Sequence, residues 1–146
     1  MFKKILWAMD FSESSHHAGE QALRCAQCSE GTLYILAVVD PKDMPFILGE
    51  EFNPFADENR LQTQYEQRVL DQMKHELETL GETSVPVEFH IRVGMPWQAI
   101  IVTAQELGAT LIVMGCSGRR RLTEVFLGST TENVIKNAPC PVLVTR

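Results

Sequence analysis

The apolar positions of this chain change period along its length, and the changes divide it into alternating strands and helices. Lys4 to Met9 is a short apolar run closed by Asp10, and it reads as a strand. Ser12 and Ser14 then stand where a helix cap belongs, before a helix predicted to run to about Cys28. Ala18, Ala22, Cys25 and Ala26 give that helix a small-residue face, which allows close approach to a sheet; Gly31 breaks it. Leu33 to Val39 is apolar throughout, the mark of a strand buried on both faces, and Asp40-Pro41 ends it. Leu61, Tyr65, Val69, Met73, Leu77 and Leu80 recur at helical spacing and predict a long helix from about Glu58 to Leu80, stopped by Gly81. Val85 to Val93 is a third strand. Pro96 opens a helix carrying Ile100, Ile101, Ala104 and Leu107, which Gly108 ends. Thr110 to Met114 is the fourth strand, a further helix runs to about Asn137, and Val142 to Thr145 is the last strand.

Five strands alternating with helices imply an α/β fold with a parallel sheet covered on both faces. Right-handed crossovers make it doubly wound. The chain has 146 residues, enough for a single domain over 1–146. Ligands in such folds sit beyond the carboxyl ends of the strands, at the point where strand order reverses. Asp10, Val38 to Asp40 and Gly115 all fall at strand carboxyl ends and would share one crevice. Val38 reads equally well as plain sheet core, and Asp10 as a turn aspartate. Residues 41–58 carry Pro41, Pro45, Gly49 and Pro54 and read as a long loop, either a functional lid or a surface excursion.

An apolar fraction of 45% with 22% charged residues is that of an ordinary globular chain. No apolar run approaches the roughly 20 residues of a membrane span. Met1-Phe2-Lys3-Lys4 is too brief for a signal peptide, so the expected location is cytoplasmic. A net charge of −6 argues against general nucleic-acid binding. Cys25 and Cys28 form a C-x-x-C inside the first helix and read as reduced core cysteines; a zinc site with His16 and His17 is the alternative. None of His16, His17, His75 and His90 stands in a nucleophile or metal pattern.

The segment after the fourth strand points to a ligand. Gly115-Cys116-Ser117-Gly118 is followed by nine residues and then Gly128-Ser129-Thr130-Thr131. Glycines let backbone N–H groups approach a phosphate chain, and a helix N-terminus receives it. Ser117, Ser129, Thr130 and Thr131 offer hydroxyls; Arg119, Arg120 and Arg121 offer positive charge against the net −6. Ser129 and Glu132 fit a capping box, with Ser129 as N-cap. The spacing is neither a Walker A loop nor a dinucleotide fingerprint. An ordinary turn and a solvated arginine run explain the same residues.

Taken together, these segments resemble the universal stress protein family, over nearly the whole chain. The resemblance rests on Ile5 through Ser14, Leu36-Ala37-Val38-Val39-Asp40, Val93-Gly94-Met95-Pro96 and Pro139-Cys140-Pro141-Val142-Leu143-Val144. It rests most on Gly115, Gly118, Gly128 and Ser129, the full motif of the family's ATP-binding subgroup. It implies strand order 3-2-1-4-5, with ATP between the first and fourth strands. Ala8, Met9, Asp10 and Val38 would line the adenosine pocket, and Met114 and Gly115 would approach the sugar. Ser117, Gly118, Gly128, Ser129, Thr130 and Thr131 would hold the phosphates, with Mg²⁺ or Mn²⁺ bridging them; on the chemistry of the residues themselves, Arg119 would add its charge to that site and Asp10 is a candidate for the metal. Homodimers would pair the final strands through Val142, Leu143 and Val144. Ser117, Arg121 and Met9 depart from the residues frequent in the family at their positions.

Three functions fit these features. The first is an ATP-dependent regulatory switch in stress response. The second is a slow metal-dependent ATP hydrolase; phosphoryl transfer needs mainly positioning and charge, but the chain has no evident water-activating residue. The third is a dimeric interaction protein with no nucleotide requirement. A phosphorylation receiver is excluded, because Gly94-Met95-Pro96 follows the third strand where an acceptor aspartate is needed.

Overall fold

The computed structural model describes residues 1–42, 58–116 and 127–146, apart from the side chains of Glu58 and Leu61. Residues 43–57, and with them most of the predicted loop, lie outside the described part. So do Ser117, Gly118, Arg119, Arg120 and Arg121.

The order of elements is β1 (Lys4–Met9), α1 (Glu13–Ser29), β2 (Thr32–Val39), α2 (Glu58–Thr79), β3 (Val87–Val93), α3 (Pro96–Leu107), β4 (Leu111–Gly115), α4 (Ser129–Asn137) and β5 (Val142–Thr145). The strands form one parallel sheet of order β3-β2-β1-β4-β5. The predicted elements are all present, with ends shifted by one or two residues. The order reverses between β1 and β4, where Ala8 stands opposite Met114.

Alternation along the strands builds two cores. Ile5, Trp7 and Met9 of β1 face α1 and α2, together with Leu33, Ile35, Ala37, Leu111 and Val113. Leu6, Ala8, Leu36, Ile112 and Met114 face α3 and α4. β2 is buried on both faces because helices cover both. Ala18, Ala22 and Ala26 of α1 are fully buried against the sheet. Gly19 lies on that face too, where an added Cβ would sit 2.4 Å from the Trp7 ring.

The helix ends follow from local chemistry. Ser12 caps α1, its hydroxyl accepting from the Ser15 N–H at 3.2 Å. Glu30, in the left-handed conformation at φ 51°, closes it, with Gly31 behind. Pro96 occupies the first turn of α3 and Gly108, at φ 66°, ends it. Both caps return N–H groups to the last carbonyls of their helices. No helix among the described residues is long and apolar enough to cross a membrane.

The C-x-x-C pair differs from its expected core placement. Cys25 is half-buried at the margin of the α1–α2 core, and Cys28 is exposed. Cys28 stands about 200° round α1 from the buried Ala26, on the outer side of the helix. The zinc alternative finds no ligand set: no group of three or more His, Cys, Asp or Glu suited to a metal occurs among the described residues. His16 instead meets Glu76 of α2 at 2.7 Å, and the Nδ1 of His17 lies 2.6 Å from the Arg146 carbonyl oxygen.

Candidate nucleotide site

Gly115 ends β4 at the centre of the carboxyl edge, and three elements converge on it. The first turn of α1 lies against its Cα: an added Cβ would stand 2.4 Å from Ser14 Oγ and 2.8 Å from both Ser14 C and Ser15 N. Its carbonyl accepts the Thr131 hydroxyl at 2.9 Å, which pins α4 to β4. Next to it, the Cys116 N–H donates to the Thr145 carbonyl and the Cys116 carbonyl accepts the Gly128 N–H, both at 2.8 Å. The two ends of the glycine loop are thereby closed against each other.

The start of α1 is tied equally firmly. The Thr145 hydroxyl donates to the Ser14 carbonyl at 2.9 Å, the Trp7 indole to the Ser15 carbonyl at 3.0 Å, and the Asp10 N–H to the Ser15 hydroxyl at 3.1 Å. Ser14 and Ser15 are both buried. Their role as the hub of this edge is not visible in the sequence, where they read as part of a helix start.

The sequence-predicted residues separate by face. Ala8 and Met114 are register partners in the core under α3 and α4, and half-buried Val38 packs against the same cluster. Met9 is buried in the opposite core, against α1 and α2. Period 2 along a strand dictates this: neighbours point to opposite faces, so Met9 can offer the α3–α4 side only its backbone. Asp10 is exposed just beyond β1, and its Oδ1 accepts from the Ser12 N–H at 2.9 Å and from the Ser12 hydroxyl. The turn passes through Phe11 at φ 63°, an uncommon conformation for a bulky residue.

The predicted capping box is not formed. The N-cap of α4 is Gly128, with no side-chain cap bond, and Ser129 is already the first helical residue. Glu132 therefore falls one position too late to reach back. It pairs forward with Lys136 at 2.8 Å, and that hydrogen bond, with the lysine charge, lowers its pKa. The N–H groups of Ser129, Thr130 and Thr131 precede the first turn of helical bonding, which begins with Glu132 N–H on Gly128 O. They stand at the positive end of the helix with no side-chain cap. Ser129 is exposed and Thr130 half-buried, whereas Thr131 is only 3% exposed, its hydroxyl committed to Gly115. The arrangement offers an anion backbone donors and hydroxyls beside the β1–β4 reversal.

The model of the universal stress protein family matches residues 1–146. The chain belongs to that family. A universal stress protein of Thermus aquaticus is 35% identical over 147 residues, covering all of both chains. The universal stress protein MJ0577 of Methanocaldococcus jannaschii is 31% identical over 160 residues, covering 100% of this chain and 96% of that one. The solved structure of MJ0577 superposes with a TM-score of 0.78 at 34% identity, covering 99% of this chain and 96% of its own. A universal stress protein solved in complex with cAMP covers 99% of this chain and 97% of its own, with a TM-score of 0.68; at 23% identity it supports the fold alone.

Proposed function

We propose that this universal stress protein binds ATP at the carboxyl edge of β1 and β4 and acts as a nucleotide-dependent regulatory switch. The observation that carries the proposal is the uncapped start of α4. It follows directly on Gly128, and Gly128 is held to the end of β4 through Cys116. The complete glycine motif of the family's ATP-binding subgroup thus has its described parts at one place. The N–H groups of Ser129, Thr130 and Thr131, with the hydroxyls of Ser129 and Thr130, would receive the phosphates. Thr131 would position the turn through Gly115. Ala8, Val38 and Met114 would meet the adenosine on the α3–α4 side, with Met9 contributing backbone. In sequence, Ser117, Gly118 and Arg119 complete the phosphate loop.

A divalent ion would enter with the phosphates, because the described residues offer no three-ligand set of their own. Asp10 has one carboxylate oxygen committed to its own turn. That commitment favours a binding role over a water-activating one, and so a switch over a hydrolase. Residues 1–146 would act as one domain, in the cytoplasm.

Replacing Gly128 by Leu crowds the α4 entrance and is expected to weaken ATP binding about tenfold or more, a loss of at least ~1.4 kcal/mol. Equilibrium dialysis with labelled ATP, alongside circular dichroism to verify the fold, reads this directly. Unchanged affinity in a folded Gly128→Leu variant would place the phosphates elsewhere.

A second copy of the chain is the proposed partner at β5. This strand is a sheet edge whose Leu143 is 37% exposed, and an open apolar edge invites pairing. Leu143→Glu is expected to convert a dimer to single chains in analytical ultracentrifugation. A parent protein that sediments as a single chain at micromolar concentration would remove the proposal.

A further inference from the structure

Thr145 joins two elements that border the nucleotide site. β5 alternates: Val142 and Val144 pack against the α3–α4 cluster, so Leu143 and Thr145 point to the α1 side. Thr145 is half-buried and stands opposite Gly115 in the β4–β5 register. Gly115 has no side chain, and the first turn of α1 fills the space where one would be. The Thr145 hydroxyl meets that turn and donates to the Ser14 carbonyl at 2.9 Å.

The same residue also acts through its backbone. Its carbonyl accepts the Cys116 N–H at 2.8 Å, and the Cys116 carbonyl accepts the Gly128 N–H at 2.8 Å. Gly128 is the N-cap of α4. A series of hydrogen bonds therefore runs from Ser14 through Thr145 and Cys116 to the start of α4. Only its first member is made by a side chain, so substitution can remove that one and leave the backbone as it is.

The importance of the first bond follows from the place of β5. The strand has four residues and a neighbour on one side only. The end of so short an edge strand frays unless it is tied down. The half-buried Thr145 hydroxyl supplies a tie. The further contact, His17 Nδ1 with the Arg146 carbonyl oxygen, is exposed, and water competes for both groups. With the Thr145 tie lost, the acceptor of the Cys116 N–H is free to drift, and the Gly128 N-cap drifts with it.

We propose that Thr145 is a positioning residue for the phosphate end of the nucleotide site, fixing the α4 start relative to α1 through these bonds rather than by contact with the ligand. The proposal rests on the reading of the α4 start as the phosphate site. It predicts a loss specific to phosphates. Ala8, Val38 and Met114, proposed to meet the adenosine, lie on the opposite face of the sheet from the Thr145 side chain.

The test compares labelled ATP with labelled adenosine by equilibrium dialysis against the full chain. Thr145→Val keeps the branched shape and strand preference of threonine and removes the hydroxyl. It is expected to weaken ATP about fivefold, the equivalent of one hydrogen bond, and to leave adenosine within about twofold. Thr145→Ala, which also lacks the hydroxyl, should lose at least as much ATP affinity. Thr145→Ser restores the donor and should return ATP to within about twofold of the parent. Circular dichroism verifies that each variant is folded. Unchanged ATP affinity in a folded hydroxyl-free variant overturns the proposal. So does an equal loss of ATP and adenosine, which a general loosening of the fold would give. A parent chain that binds ATP no more tightly than adenosine would remove the phosphate site itself, and this proposal with it.

Discussion

Gly115→Val is expected to lower stability by about 3 kcal/mol, at the upper end of overpacking costs, and to abolish nucleotide binding with it. The nearest obstacle to a new side chain, Ser14 Oγ at 2.4 Å, could rotate away. The next two, Ser14 C and Ser15 N at 2.8 Å, are backbone and cannot. Nor can α1 back off cheaply. Ser14 holds Thr145, and Ser15 holds both Asp10 and Trp7. Displacing that turn would break bonds to β1 and β5 together. Urea unfolding measures the loss: with a slope of about 1–3 kcal/mol per molar urea, the midpoint should fall by about 1 M or more. A midpoint within about 0.3 M of the parent would show that the edge is looser than these contacts indicate.

Gly19→Ala is expected to cost about 2 kcal/mol in the parent chain, although alanine is the better helix former. Its Cβ would stand 2.4 and 2.5 Å from two carbons of the Trp7 ring. That ring has no room to swing: Trp7 is fully buried and its N–H is bonded to the Ser15 carbonyl. Trp7→Phe removes the atoms in the way, while itself costing about 2–4 kcal/mol in lost burial and the lost indole hydrogen bond. In that background Gly19→Ala should change sign and stabilise by up to about 1 kcal/mol, the helix-propensity difference alone. A double-mutant cycle should therefore give a coupling of about 2–3 kcal/mol. Additivity within about 0.5 kcal/mol would contradict the contact.

The pattern of apolar residues carried most of the fold, because period and burial are local. Leu33 to Val39 could read as uniformly apolar only if helices covered both faces, and they do. Pro96, Gly108 and Gly81 punctuate where backbone chemistry requires. Less legible was anything that depends on partners distant in sequence. Gly115 was read as a glycine clearing space for a phosphate. Its observed neighbour is Ser14, about a hundred residues earlier. Thr131 was read as a phosphate donor, yet its hydroxyl is turned inward to Gly115. No spacing rule reports such contacts.

Three misplacements have local causes. Ser129-Thr130-Thr131-Glu132 satisfies the capping-box pattern, but Gly128 is also a good cap, and a one-residue shift exchanges one solution for the other. The forward pair Glu132–Lys136 then replaces the reciprocal bond. Met9 was grouped with Ala8 because they are adjacent in the motif that carries the resemblance. Strand alternation alone separates them onto opposite faces. Cys28 reads as core because it shares a helix with buried alanines, but it follows the buried Ala26 by two residues, about 200° round the helix, and so faces outward.

Isothermal titration of the full chain with ATP and Mg²⁺ tests the central claim most directly. Saturable binding of one ATP per chain at micromolar to millimolar concentration is expected, weakened about tenfold or more in Gly128→Leu. No binding at millimolar ATP by a folded parent chain would contradict the assignment of the α4 start as a phosphate site.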